Sequence, residues 1–171
     1  HLEYEKNVLD WQGSQIPIIY FDELTHFTEK QFWYMLSRNR SISSIKPYIR
    51  ATTNPSSKSW VKKLIQWYLL PNGQPDLQKS GIKRYFIRVD DKIIWGECSN
   101  DLKKQYPASI PKSFTFIPAS LSDNKILMRE DPSYLANLQA LSKFERMQLL
   151  EGNWNVQETA GIFFKRHYFT E

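Results

Sequence analysis

The amino-acid sequence predicts an α/β fold, in which a mostly parallel β-sheet is flanked by helices and carries an inserted β-hairpin. Two apolar runs, 16–21 and 48–51, have the composition of buried parallel strands, and a stretch with helical periodicity joins them. Two β-prone segments within 83–97 flank Asp90-Asp91, a pattern that is typical of a hairpin. Strands and helices therefore alternate along the chain, which is the α/β order.

Capping and turn residues mark the predicted helices. Thr28 and Gln31 stand in capping-box relation and begin the first helix. Apolar residues at helical spacing predict a second helix over 60–70, which Pro-Asn-Gly at 71–73 ends. The remaining elements are a strand over 113–118, a helix that begins at Asp131-Pro132, and a helix that begins at Ser142 with Glu145 and ends at Gly152.

Length and composition exclude several kinds of site. The 171 residues fit one domain. A single cysteine, Cys98, excludes an internal disulfide framework and a cysteine-based zinc site, while His1, His26 and His167 are too scattered for a metal cage. No apolar run reaches about 18 residues, so we expect no membrane span and no membrane partner.

Positive charge is concentrated in the stretch 30–75, which contains no Asp or Glu. Its basic residues are Lys30, Arg38, Arg40, Lys46, Arg50, Lys58, Lys62 and Lys63. A field of one sign attracts phosphate, so we predict nucleic-acid contacts at Lys62 and Lys63. The alternative is a solvated face, or a patch that a partner covers.

The segment 18–23 carries the sharpest chemical signal, because four apolar residues precede Asp22 and Glu23. This pattern is typical of the Walker B strand of an NTPase. At the carboxyl end of a parallel strand, side chains enter the ligand crevice, and successive residues point to opposite sides. Asp22 can then hold Mg²⁺ through water, and Glu23 can face the water that attacks the γ-phosphate. The alternative for Glu23 is an ordinary surface charge at the start of a helix.

Polar residues also end the next predicted strand, at Thr52-Thr53-Asn54. If the two strands are parallel neighbours, their ends meet at one edge of the sheet. We therefore predict that Asp22, Glu23 and Asn54 cluster there, with the Thr52-Thr53-Asn54 segment placed to sense a γ-phosphate. The alternative is an ordinary turn formed by Asn54 and the proline that follows it.

Several segments stand in a recognisable order along the chain. They are Phe21-Asp22-Glu23, Ser37-Arg38-Asn39-Arg40, Ala51-Thr52-Thr53-Asn54-Pro55 with Trp60 downstream, Leu121-Ser122-Asp123-Asn124, Asp131-Pro132-Ser133-Tyr134-Leu135, Leu149-Leu150-Glu151-Gly152-Asn153-Trp154 and Gly161-Ile162-Phe163-Phe164. In this order they resemble the large subunit of tailed-bacteriophage DNA-packaging terminases. The likeness runs nearly end to end, and its specificity lies in the ordered set.

The resemblance implies a P-loop NTPase-like fold and a set of site residues. The implied roles are Asp22 as the Mg²⁺ residue, Glu23 as the catalytic glutamate, and Thr52, Thr53 and Asn54 as a nucleotide-contacting motif that couples ATP hydrolysis to DNA movement. Arg38 and Arg40 are implied on the helix side of this site, in contact with phosphate or DNA.

The same resemblance implies the cofactors and partners of the intact protein. Mg²⁺ and ATP are expected there, and neither is expected to bind tightly to these residues alone. The implied partners are double-stranded DNA, the phage portal, the small terminase subunit and further copies of the chain in a ring. The expected location is the cytoplasm of the bacterial host.

The sequence also departs from the family pattern, because it contains no Gly-x-x-x-x-Gly-Lys-Ser/Thr loop to cradle phosphates. We therefore interpret residues 1–154 as the distal part of an ATPase motor domain and 155–171 as a linker toward a nuclease domain. These residues alone are not expected to hydrolyse ATP efficiently.

Two other functions fit parts of the sequence. One is a nonspecific DNA-binding module without catalysis, which depends on the basic stretch 30–75. The other is a two-metal nuclease built on Asp22, Glu23, Asp90 and Asp91, which requires these acids to converge within about 4 Å of a metal pair.

Overall fold

A computed structural model describes residues 2–157 as a mixed α/β structure with two sheets. The strands are β1 (Ile18–Phe21), β2 (Tyr48–Ala51), β3 (Arg84–Val89), β4 (Lys92–Gly96) and β5 (Lys112–Phe114). The α-helices are α1 (Glu29–Arg38), α2 (Trp60–Ile65), α3 (Ser99–Gln105), α4 (Lys125–Glu130), α5 (Pro132–Gln139) and α6 (Lys143–Glu145). A π-helical turn, Arg146–Leu150, follows α6 directly.

The first sheet is a parallel pair, as the sequence predicts. β1 and β2 are neighbours in the register Ile18↔Tyr48 to Phe21↔Ala51. The helix α1 connects them, and it begins with the predicted capping box. The Thr28 hydroxyl accepts from the Gln31 backbone at 3.1 Å, and the Gln31 side chain accepts from the Thr28 backbone at 2.8 Å.

The second sheet is antiparallel, and it corrects the prediction of one mostly parallel sheet. Its strand order is β4-β3-β5. The hairpin β3–β4 is confirmed, but the strand predicted over 113–118 pairs antiparallel with β3, with Arg84 opposite Phe114. The hairpin therefore belongs to a sheet of its own. The P-loop NTPase-like arrangement stays a prediction, and most of the 155–171 linker lies outside the described residues.

The second predicted helix is shorter than expected. Instead of running through 60–70, α2 ends at Ile65 and a 3-10 turn continues to Tyr68. Tyr68 is buried, and its hydroxyl donates to the Ile82 carbonyl at 2.8 Å. Burial also raises the pKa of the Tyr68 phenol, which favours the protonated hydroxyl that donates this bond. This tertiary contact, which the helical period does not encode, redirects the chain.

The later helix boundaries agree with their capping signals. The Asp131 side chain accepts from the Tyr134 backbone at 3.2 Å at the start of α5. Ser142 and Glu145 form the predicted reciprocal capping box at the start of α6. The predicted stop is also present, since Gly152 follows the π-helical turn with a left-handed φ of 67°.

An aromatic core joins the two sheets. Trp33 of α1 lies edge-on against Phe86 of β3, with ring centroids 6.0 Å apart. Trp154, only 2% exposed, packs on Phe116 and donates its backbone N–H to the Gly73 carbonyl at 2.9 Å. Gly73 has φ of 88°, and a Cβ atom there would lie 2.5 Å from the neighbouring Asn155 side chain. Glycine at this turn therefore permits the docking of Trp154.

We predict that the hairpin turn can be improved. Asp90 and Asp91 both have left-handed backbones, with φ of 47° and 62°, where Asn-Gly is favoured. The double change Asp90→Asn with Asp91→Gly should raise the free energy of unfolding by about 1 kcal/mol, because a left-handed residue costs roughly that much. It also removes the exposed Arg88–Asp91 ion pair, which contributes little. Urea unfolding measures the gain, and a lower stability would contradict the prediction.

Candidate functional site

The ladder between β1 and β2 continues past the ends of both strands. The Thr52 backbone N–H donates to the Phe21 carbonyl at 2.9 Å, and the Leu24 N–H donates back to the Thr52 carbonyl at 2.8 Å. These two bonds bring the residues that follow β1 alongside those that follow β2. Asp22 and Glu23 thus lie beside Thr52 at one edge of the sheet.

Thr52 connects the two acids. Its hydroxyl donates to an Asp22 carboxylate oxygen at 2.5 Å and accepts from the Glu23 backbone N–H at 3.1 Å. A charge-assisted bond of this length fixes the orientation of the carboxylate. Asp22 is nevertheless exposed, so its carboxylate is accessible to a hydrated cation.

Asn54 holds Glu23 in place. The Asn54 side-chain amide donates to one carboxylate oxygen at 2.9 Å, and its backbone N–H donates to the other at 3.3 Å. Glu23 itself has φ of 53°, a left-handed conformation that costs about 1–3 kcal/mol in a residue other than glycine. The predicted clustering of Asp22, Glu23 and Asn54 is therefore confirmed as geometry. Their chemical roles stay predictions.

Thr53, the middle residue of the Thr52-Thr53-Asn54 motif, forms its hydrogen bond within the turn rather than with the acids. The Thr53 hydroxyl donates to the Asn54 carbonyl at 3.2 Å, within its own turn. Thr53 therefore supports the shape of the turn, whereas Thr52 and Asn54 contact the acids. The sequence does not distinguish these three residues, because the alternation of a strand ends where the turn begins.

The donor set suits magnesium. Mg²⁺ takes oxygen ligands, and proteins usually hold it through one or two carboxylates together with water and substrate phosphates. Asp22 and the Thr52 hydroxyl supply oxygen atoms at an exposed strand end, which fits a partly hydrated ion. Glu23, held by Asn54, is a carboxylate placed beside that position.

Arg38 and Arg40 do not lie at this site, and their implied place on its helix side is corrected. The Arg38 carbonyl accepts from the Ile16 N–H at 3.0 Å, and an Arg40 guanidinium nitrogen donates to the Gly13 carbonyl at 3.1 Å. Both arginines therefore stand at the amino-terminal end of β1. Asp22 lies four residues beyond Ile18, the first residue of β1, which is roughly 13 Å at about 3.3 Å per strand residue. A contact of either arginine with DNA stays a prediction.

Lys62 and Lys63 lie on α2, which begins shortly after the Asn54-Pro55 turn. Ser59 caps this helix, with its hydroxyl accepting from the Val61 N–H at 3.2 Å. Lys63 is exposed and Lys62 partly so, and within residues 2–157 neither forms an ion pair. Both charges are thus available to a partner.

The acids required for a two-metal nuclease are not brought together. Asp90 and Asp91 lie at the β3–β4 turn, and Asp91 pairs with Arg88 at 2.8 Å. Asp22 and Glu23 lie on the other sheet. Across 2–157, no group of three or more His, Cys, Asp and Glu residues is arranged to hold a metal ion. The described part of the chain therefore gives that alternative no support.

The helices were compared with the length and hydropathy that a membrane span requires. In the part of the chain that the structure describes, no helix is long and apolar enough to cross a bilayer.

The chain matches one family model over residues 1–171, and the model describes the N-terminal region of T4-like-virus-type terminase large subunits. No curated protein and no solved structure matches the chain. The family match spans every segment on which the resemblance to phage terminases depends, and it confirms that resemblance. The chain therefore belongs to the terminase large subunit family, of the T4-like-virus type, in its N-terminal region.

Proposed function

We propose that these residues form part of the ATPase motor that drives double-stranded DNA into phage procapsids. The supporting observation is the site at the ends of β1 and β2, where Thr52 holds Asp22 and Asn54 holds Glu23. Because the chain belongs to a DNA-packaging family, we propose ATP as the substrate of this pair of carboxylates. The proposed fold around them is P-loop NTPase-like, with β1 as its Walker B strand.

The proposed chemistry is in-line attack of water on the γ-phosphate of ATP. Bound Mg²⁺ would neutralise the developing phosphate charge. Asp22 would hold the hydrated ion, with its carboxylate oriented by Thr52. Glu23 would orient the attacking water and accept its proton, and Asn54 would keep that carboxylate aimed. The sequence holds no Gly-x-x-x-x-Gly-Lys-Ser/Thr loop, so the activity is proposed for the intact large subunit.

The proposed partners follow from the family and from the charge of the chain. They are double-stranded DNA, the portal, the small terminase subunit and further copies of the large subunit in a ring, in the bacterial cytoplasm. DNA contact would be made through phosphates, which requires no base sequence. The basic stretch 30–75 supports this contact, and Arg38, Arg40, Lys62 and Lys63 are the proposed residues.

We predict that Lys62→Glu with Lys63→Glu weakens DNA binding by the intact subunit and leaves its basal ATPase activity unchanged. Each lost phosphate contact should reduce the salt dependence, the slope of log K against log salt, by about 0.9. The deficit should therefore be largest at low salt. DNA binding measured across a salt series tests this.

The matched control is Lys103→Glu with Lys104→Glu, which makes the same charge change on the exposed face of α3. If both double variants lose the same affinity, net charge rather than the α2 surface governs binding, and the assignment of Lys62 and Lys63 fails.

A further inference from the structure

One face of the β1–β2 sheet is open and polar. Along β1 the side chains alternate, with Ile19 and Phe21 in the core and Tyr20 63% exposed. On β2, Tyr48 and Arg50 are also exposed. Both faces of a parallel sheet are ordinarily apolar and buried. Two phenols and a guanidinium on one face therefore indicate a surface that contacts something polar.

The residues of this face are ordered by their mutual contacts. The Tyr20 and Tyr48 hydroxyls lie 3.0 Å apart, and the rings meet edge to face. This hydrogen bond raises the pKa of the Tyr48 phenol, which favours its neutral form. The Arg50 guanidinium lies over the Tyr48 ring, 5.4 Å from its centroid. Among residues 2–157, Arg50 has no carboxylate partner.

Arg50 shares this face with the metal-binding candidate. Tyr20 is directly opposite Arg50 in the register, and Asp22 is the next residue of the β1 chain on the same side. Diagonal neighbours on one face of a sheet are about 7–8 Å apart, within reach of a long side chain. Thr52 stands two residues beyond Arg50 and already contacts Asp22. A phosphate beside Asp22 would thus lie within reach of the guanidinium.

We propose that Arg50 is a phosphate-binding residue of the nucleotide site, contacting the phosphate chain of the same Mg²⁺-bound nucleoside triphosphate that Asp22 serves. This inference rests on the proposed function. Its chemical basis is the planar guanidinium, which donates two parallel hydrogen bonds to phosphate oxygens. The Tyr48 ring lies against the guanidinium and limits the conformations that Arg50 must lose on binding. The contact adds a positive charge to a site whose known groups are acidic.

Equilibrium binding to the intact large subunit tests the proposal, with Mg²⁺ and a non-hydrolysable ATP analogue as the probe. Arg50→Ala should raise the dissociation constant about tenfold or more, as expected for a lost charge-assisted contact. Arg50→Lys should fall between Arg50→Ala and wild type, because lysine keeps the charge but loses the planar fork. Arg129→Ala, an exposed arginine of α4, is the matched control and should bind as wild type does.

The outcomes distinguish a failure of the role proposed for Arg50 from a failure of the proposed ATPase function. Wild-type affinity in both Arg50 variants would overturn the role of Arg50, and the proposed function would stand if Glu23→Gln still abolishes turnover. Failure of the wild-type subunit to bind the analogue would remove both. If Arg50→Ala fails to fold, as circular dichroism would show, the dissociation constant of Arg50→Lys decides.

Discussion

Replacing Glu23 with Gln in the intact large subunit should lower ATP turnover by a factor on the order of 10² or more, the range expected for loss of a positioned base. The change keeps the size of the side chain and the acceptor for the Asn54 side-chain amide, and it gives up only the longer bond, 3.3 Å, from the Asn54 backbone, so the strand end should keep its shape. What it removes is the negative charge that orients water and takes its proton. Single-turnover hydrolysis of ATP measures the loss, and nucleotide affinity measured in parallel should be close to that of wild type.

Two comparisons make this result specific. Asp22→Asn should weaken Mg²⁺-dependent nucleotide binding as well as turnover, because the altered carboxylate is the proposed metal ligand. Glu97→Gln, an exposed acid just after β4, should leave both quantities unchanged. Turnover at the wild-type rate in Glu23→Gln would show that Glu23 is a structural acid. The nonspecific DNA-binding module would then be the better account of the basic stretch.

The largest loss of stability is expected from Trp154→Ala. Truncation of a fully buried tryptophan costs about 3–5 kcal/mol, through lost burial and the cavity that remains. Trp154 is 2% exposed and belongs to the cluster that also holds Phe21, Phe86 and Tyr68. The free energy of unfolding, followed by far-UV circular dichroism in urea, should fall by that amount.

A graded series separates packing from secondary structure at this position. Trp154→Phe should cost less than Trp154→Ala, because a ring still fills part of the space. Leu149→Ala, on a side chain that is 42% exposed, should change the free energy of unfolding by no more than about 0.5 kcal/mol. Equal losses in Trp154→Ala and Leu149→Ala would contradict the placement of Trp154 in the core.

The sequence predicts that Asp22, Glu23 and Asn54 lie close together, because the change from apolar to polar residues marks where each strand ends. Two apolar runs joined by one helix favour a parallel crossover, and its strands end at a common edge. What the sequence does not reveal is the role of the Thr52 hydroxyl between the two acids. Nor does it reveal the left-handed backbone of Glu23, since that conformation is imposed by bonds to a residue 29 positions away.

The pairing partner of a strand and the position of a basic side chain are harder to predict from sequence than the strand itself. The run 113–118 is correctly identified as containing a strand, but its pairing with β3 depends on tertiary contacts that periodicity does not contain. Arg38 and Arg40 are close to Asp22 in the sequence and far from it in space, because α1 carries the chain back along the sheet. Sequence proximity across a crossover helix therefore misplaces both arginines.

The amide nitrogen of the Asn39 side chain lies 3.0 Å from the Ile16 carbonyl oxygen, 2.9 Å from that of Pro17 and 3.2 Å from that of Tyr48. These hydrogen bonds connect the amino-terminal ends of both strands, while the backbone of Thr52 connects their carboxyl ends. A slip of one residue between β1 and β2 would exchange the two faces of the slipped strand, directing Asp22 toward the core and Phe21 outward. A pairing in the wrong register would lose the Asn39 hydrogen bonds at one end and the Thr52 hydrogen bonds at the other. Both sets of bonds therefore favour the native register as the sheet forms.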